Sequence, residues 1–124
     1  MNHKKRILVV DDECSMQELL RHTLALSGFD VAIAGNDVEF RKEAFAQKPD
    51  VIILDLMLGK KDGTDIYTEL LSEGLDPKIP VVFLSALAQD RPPTPPRPDR
   101  KYSLVGKPFD PEELVQQLTT LVGV

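Results

Sequence analysis

The chain has 124 residues, 42% hydrophobic and 28% charged, with 20 acidic against 15 basic side chains and a net charge of −5. That is one domain's worth of sequence, and without a strongly basic footprint direct nucleic-acid binding is not expected. A single cysteine, Cys14, excludes an internal disulfide, and no apolar run approaches the ~20 residues a bilayer span needs.

Only four apolar residues follow Met1–Arg6, too few for a signal peptide, so a cytoplasmic chain is expected. The first strand is expected at Ile7-Leu8-Val9-Val10. A helix follows, with Ser15 to Glu18 as a capping box and Met16, Leu19, Leu20, Thr23 and Leu24 at helical spacing. Gly28 ends it. Val31-Ala32-Ile33-Ala34 reads as the second strand. Residues ~37–47 read as a helix with Val38, Ala44 and Phe45 on one side.

Val51-Ile52-Ile53-Leu54 is the third strand, and residues ~64–73 the third helix, on Ile66, Leu70 and Leu71. Gly63 reads as a turn residue without chemistry. Val81-Val82-Phe83-Leu84 is the fourth strand. Leu104-Val105 is a weaker fifth. A last helix is capped by Asp110, with Pro111 first, Glu113 closing the box, and Leu114, Val115, Leu118, Leu121 and Val122 as its stripe.

Strands that are continuous apolar runs are buried on both faces. Alternation with helices implies an α/β fold, a doubly wound five-stranded parallel sheet. With no boundary in the chain, residues 1–124 are expected to form a single domain. Ten prolines in 124 residues exceed the ~5% average, and five fall within 92–98. Interior prolines cost ~3 kcal/mol each in a helix, so this stretch is expected to be polyproline II or irregular, a stiff surface loop rather than a docking ligand.

In doubly wound sheets ligands bind beyond the carboxyl ends of the strands. There the first strand offers Asp11-Asp12-Glu13, the third Asp55, the fourth Ser85 and the fifth Lys107-Pro108. Clustered carboxylates repel one another, and a divalent cation relieves this. An all-oxygen site with open water positions suits Mg²⁺. A metal, an ammonium and a hydroxyl around one carboxylate suit a phosphoryl group in transit, with Asp55 as oxygen nucleophile. No Gly-x-Gly-x-x-Gly follows the first strand, and the Gly59–Thr64 stretch lacks P-loop spacing.

The set Asp11-Asp12, Asp55, Ser85 and Lys107-Pro108 resembles the receiver domain of bacterial two-component response regulators. The intervals of 43, 30 and 22 residues between Asp12, Asp55, Ser85 and Lys107 are close to the family's. The resemblance runs from about Arg6 to Val122. It implies the flavodoxin-like strand order 2-1-3-4-5, for which a receiver is itself the standard example. It also implies that Asp55 accepts a phosphoryl group from a histidine kinase or histidine phosphotransfer protein in a phosphorelay.

By the same resemblance, Asp12 and Asp55 hold Mg²⁺ with the backbone carbonyl of Met57, and Asp11 assists through water. Ser85 bonds a phosphoryl oxygen and Lys107 pairs with the acids or the phosphoryl, before a bond to Pro108 that is cis in the family. The chain is expected to be an autocatalytic phosphoacceptor rather than a turnover enzyme, with no effector domain. A downstream protein partner would use the 86–124 face, and neither nucleic acid nor membrane is an expected partner.

The sequence departs from the family at four places. Gly59 stands where proline is common, Met57 and Leu87 replace polar residues, and Leu104 stands where an aromatic is usual. The prolines of 92–98 fall on the expected fourth helix. The competing expectations are a pseudo-receiver that docks partners without phosphorylation, and a small aspartyl phosphatase.

Overall fold

The computed structural model describes residues 4–85, 102–106 and 110–122, with backbone alone at Ser85, residues 102–106 and Val122. The elements run β1 (Arg6–Val10), α1 (Cys14–Leu26), β2 (Asp30–Ala34), α2 (Asp37–Ala46), β3 (Val51–Asp55), β4 (Met57–Leu58), β5 (Lys61–Asp62), α3 (Gly63–Ser72), β6 (Val81–Ser85), β7 (Tyr102–Gly106) and α4 (Pro111–Val122). Five strands form one sheet in the order β2-β1-β3-β6-β7, every neighbouring pair parallel. With the short β4–β5 hairpin set aside, this is the expected order 2-1-3-4-5 in a flavodoxin-like α/β fold. The expectations for Leu87, the 92–98 stretch with its disrupted helix, Lys107 and the cis bond to Pro108 lie outside the described residues.

Alternation along the strands divides the core between two faces. Leu8, Val10, Ile52, Leu54, Val81 and Phe83 face one way, against Phe40 and Ala44 of α2 and Ile66, Tyr67 and Leu70 of α3. Ile7, Val9, Val51, Ile53, Val82 and Leu84 face the other, against Leu20 and Leu24 of α1 and Leu114 and Leu118 of α4. Tyr67 meets Phe83 edge to face, ring centroids 6.2 Å apart, a pairing the aromatic quadrupole favours. Burial on both faces is why the strand sequences lack a polar alternation.

Local details correct several expectations. Helix α1 starts at Cys14 with Glu13 in the capping position, so Ser15 and Glu18 form no box. The reason is the short turn before it: Glu13 N donates to Asp11 Oδ1 (2.9 Å), which folds the chain into the helix two residues early. Leu19 is mostly outside the core. In α2 the buried pair is Phe40 and Ala44, one turn apart, while Val38 is 69% and Phe45 40% exposed. Asn36 caps this helix by accepting from Glu39 N (2.8 Å). Asp110 caps α4 by accepting from Glu112 N (2.9 Å), with Pro111 first as expected. Arg41 ties α2 to α3 through Glu73 (2.9 Å) and Glu69 (3.2 Å), which holds the Glu73 carboxyl below the ordinary carboxylate range.

Candidate functional site

The carboxyl edge of the sheet is where three acids meet. Asp11 directly follows β1. Its N–H continues the ladder to Ala34 O (3.1 Å), and its carbonyl accepts from Gln17 Nε2 (2.6 Å). This places Asp11 at full burial, 0% exposed. Asp12, one residue on, turns outward and is exposed. Asp55 closes the central strand β3 opposite Leu84 and is 7% exposed. One carboxylate oxygen from each of Asp11, Asp12 and Asp55 lies within 4.8 Å of the others.

Each of these carboxylates accepts a backbone N–H. Asp11 Oδ1 takes Glu13 N (2.9 Å) and Asp55 Oδ1 takes Met57 N (3.0 Å), both within their own turns. Asp12 Oδ2 takes Gly59 N (2.9 Å), from 47 residues away. Such charge-assisted bonds to N–H offset part of the repulsion and fix the side chains. A carboxylate has about four acceptor positions, so one such bond does not exhaust it.

The donor set fits a hard divalent cation. It is all oxygen, and exposed Asp12 leaves one side open to water. Oxygens that share one Mg²⁺ lie roughly 2.9–4.2 Å apart, so acids gathered within 4.8 Å would draw closer around an ion, directly or through its water. Met57, expected as a carbonyl ligand, sits in β4 opposite Asp62, with its side chain 56% exposed. The end of β6 places Ser85 beside Gly106 in register; its side chain, like Lys107, is outside the described residues.

Two glycines missed as site residues shape this edge. Gly63 is the first residue of α3 rather than part of a turn, and a Cβ on it would lie 2.3 Å from Asp55 O, so close packing excludes a side chain there. It opens α3 against the backbone of Asp55, and its N–H donates to Leu56 O (2.7 Å). Asp62 caps the helix by accepting from Thr64 N (2.8 Å). Gly59 turns the β4–β5 hairpin with φ +66. The signal for the hairpin was a glycine opening a two-residue link.

Lys61, on the second arm of the hairpin, reaches Asp37 at the start of α2. The hydrogen bond from its ammonium holds the Asp37 carboxyl below the ordinary carboxylate range. A lowered folded value means stability that is present above the unfolded value and lost as pH falls through the folded one. Lys61→Met should therefore raise the titration point of Asp37, read from its carboxyl carbon by NMR, and remove that acid-side dependence. An unmoved titration would show that the pair does not form in solution.

Among the described residues no helix is long and apolar enough to cross a membrane. The family model described as Response regulator receiver domain matches residues 7–119. The alkaline phosphatase synthesis transcriptional regulatory protein PhoP of Bacillus subtilis is 44% identical over 82 residues, 66% of this chain and 33% of that protein. The DNA-binding dual master transcriptional regulator RpaA of Synechocystis is 32% identical over 117 residues, 94% of this chain and 48% of that protein. The chain thus spans a third to a half of these relatives. Among solved structures, the receiver domain of the sensor histidine kinase PA1611 of Pseudomonas aeruginosa, with a magnesium ion in its active site cleft, superposes with TM-score 0.81. It is 22% identical over 98% of this chain and 100% of that one. The Vibrio cholerae chemotaxis protein CheY4 has TM-score 0.79 and 24% identity over 96% and 99% of the two chains.

Proposed function

This chain belongs to the response regulator receiver domain family, and on that premise we infer that Asp55 accepts a phosphoryl group in a two-component phosphorelay. The observation that carries the reading is the gathering of Asp11, Asp12 and Asp55 oxygens within 4.8 Å at the carboxyl edge of the sheet. A carboxylate oxygen of Asp55 attacks the phosphorus of a phosphohistidine donor. The P–N bond breaks and the leaving imidazole takes up a proton. Hydrolysis later returns Asp55 to the carboxylate and releases inorganic phosphate.

Phosphoryl transfer needs positioning and charge neutralisation more than covalent help. Asp11, Asp12 and Asp55, with the Met57 carbonyl, would hold Mg²⁺, which when bound supplies positive charge to the equatorial phosphoryl oxygens. The bond from Met57 N to Asp55 Oδ1 fixes the orientation of the acceptor carboxylate in the turn after β3. Lys107 and Ser85, assigned by the family pattern, add an ammonium and a hydroxyl for the phosphoryl oxygens. A histidine kinase or histidine phosphotransfer protein is the donor. The output partner is a protein that reads the 86–124 face. The transcriptional roles named for the relatives belong to proteins two to three times as long and are not carried over with the match.

Fluorine NMR with Mg²⁺ and beryllofluoride tests the reading, because the adduct mimics an aspartyl phosphate. A protein-bound signal is expected. Its absence would favour a docking module that works without phosphorylation, and repeated turnover of a phosphomonoester would favour a phosphatase.

The lifetime of the phosphoryl group follows from Met57. It stands beside the acceptor with a mostly exposed apolar side chain and cannot hold an attacking water. Slow self-dephosphorylation is expected. Met57→Asn should shorten the half-life roughly tenfold, the scale of one hydrogen bond to a charged transition state. A half-life of seconds in the wild-type protein would contradict this.

A further inference from the structure

Gly59 stands out once the three acids are compared. Asp11 and Asp55 are each fixed by an amide two residues on, which the local turn provides. Asp12 is the exposed member of the set, and the amide that meets it comes from the hairpin after Asp55. The N–H of Gly59 thus ties an acid of the β1–α1 turn to the loop that carries the acceptor.

The hairpin makes this possible through its turn. Met57 pairs with Asp62 and Leu58 with Lys61, leaving Gly59 and Lys60 as a two-residue link. Gly59 has φ +66, whereas Lys60 is not among the described non-glycine residues with positive φ. That is the pattern of a type II′ turn, which takes glycine first. Space is not the constraint, since a Cβ here would sit 4.0 Å from Asp12 Oδ2, an ordinary contact. The backbone conformation and the N–H are what matter. A proline would lose both, since it fixes φ near −65° and carries no N–H.

We propose that Gly59 is a positioning residue for the cation site: its amide holds Asp12 in the orientation that receives a divalent cation, and so couples cation binding to the acceptor's hairpin. This rests on the reading of Asp12 as a metal ligand. A carboxylate oxygen has two acceptor sites, so the amide bond leaves Oδ1 and part of Oδ2 for the ion. Partners that orient a ligand in this way typically contribute 10–100-fold to metal affinity.

The test is a Mg²⁺ titration of the full chain by calorimetry, comparing wild type, Gly59→Pro and Gly59→Asn, with the melting of each metal-free protein as a control. Asparagine keeps the N–H and tolerates positive φ better than other side chains. Gly59→Pro should bind Mg²⁺ about tenfold more weakly, and Gly59→Asn should recover most of the wild-type affinity. Equal or tighter binding by Gly59→Pro, or no recovery by Gly59→Asn, overturns the proposal. A wild-type chain that binds no Mg²⁺ overturns the metal-ligand reading itself, a separate outcome. Should Gly59→Pro not fold, the Gly59 amide proton in the metal-free protein decides: Asp12→Ala should move it upfield, and no movement overturns the proposal.

Discussion

Asp55→Asn should give a folded protein that takes up no phosphoryl group from acetyl phosphate in the presence of Mg²⁺. Asparagine keeps an oxygen to accept the Met57 N–H, now 3.0 Å from Asp55 Oδ1, so the turn after β3 survives. It removes the nucleophilic carboxylate, since an amide oxygen cannot form an aspartyl phosphate. It also removes one of three clustered negative charges, so the metal-free variant should melt no lower than the wild type. Intact-protein mass reads the uptake, and a thermal melt confirms the fold. An adduct of unchanged amount on Asp55→Asn would place the acceptor elsewhere.

Gly63→Ala should destabilise the domain strongly and impair the site with it. The added carbon would lie 2.3 Å from Asp55 O and 3.3 Å from its carbonyl carbon. Neither is the loose end of a side chain. Asp55 pairs with Leu84 in the central strand, and the N–H of Leu56 donates to Leu84 O (2.9 Å), so the backbone has little freedom to retreat. Overpacking typically costs 1–3 kcal/mol, and a backbone clash belongs at the upper end, about 3 kcal/mol. For a domain of this size that lowers Tm by roughly 10 °C. Displacing Asp55 by about 1 Å should also slow phosphorylation by up to ~100-fold. A variant that melts and is phosphorylated like the wild type would show that α3 does not press on Asp55 in solution.

The strands were legible because each is a short apolar run at a regular interval, and burial on both faces needs no finer pattern. The acids were legible because each directly follows such a run, so topology alone carries Asp11, Asp12 and Asp55 to one edge. Helix α2 was less so, since Val38, Phe40, Ala44 and Phe45 offer two possible apolar sides. The side was decided by Phe40 and Ala44 meeting the sheet. The start of α1 was misplaced because an Asx turn at Asp11 outcompetes a capping box that looks complete in sequence. The hairpin was hard to read because two-residue strands have no periodicity, which leaves the glycine opening the link as its signal. Gly59 and Gly63 lie at the limit of what one sequence tells: each is required by a backbone group brought near by the fold.

The most direct test of the account is to find where the phosphoryl group goes. The full chain is incubated with acetyl phosphate and Mg²⁺, the acyl phosphate is trapped by borohydride reduction, and the modified residue is mapped by peptide mass spectrometry. The account predicts one modified residue, Asp55, and loss of the modification when the divalent cation is chelated. Modification at another residue, or none in a folded protein with Mg²⁺ bound, would contradict it.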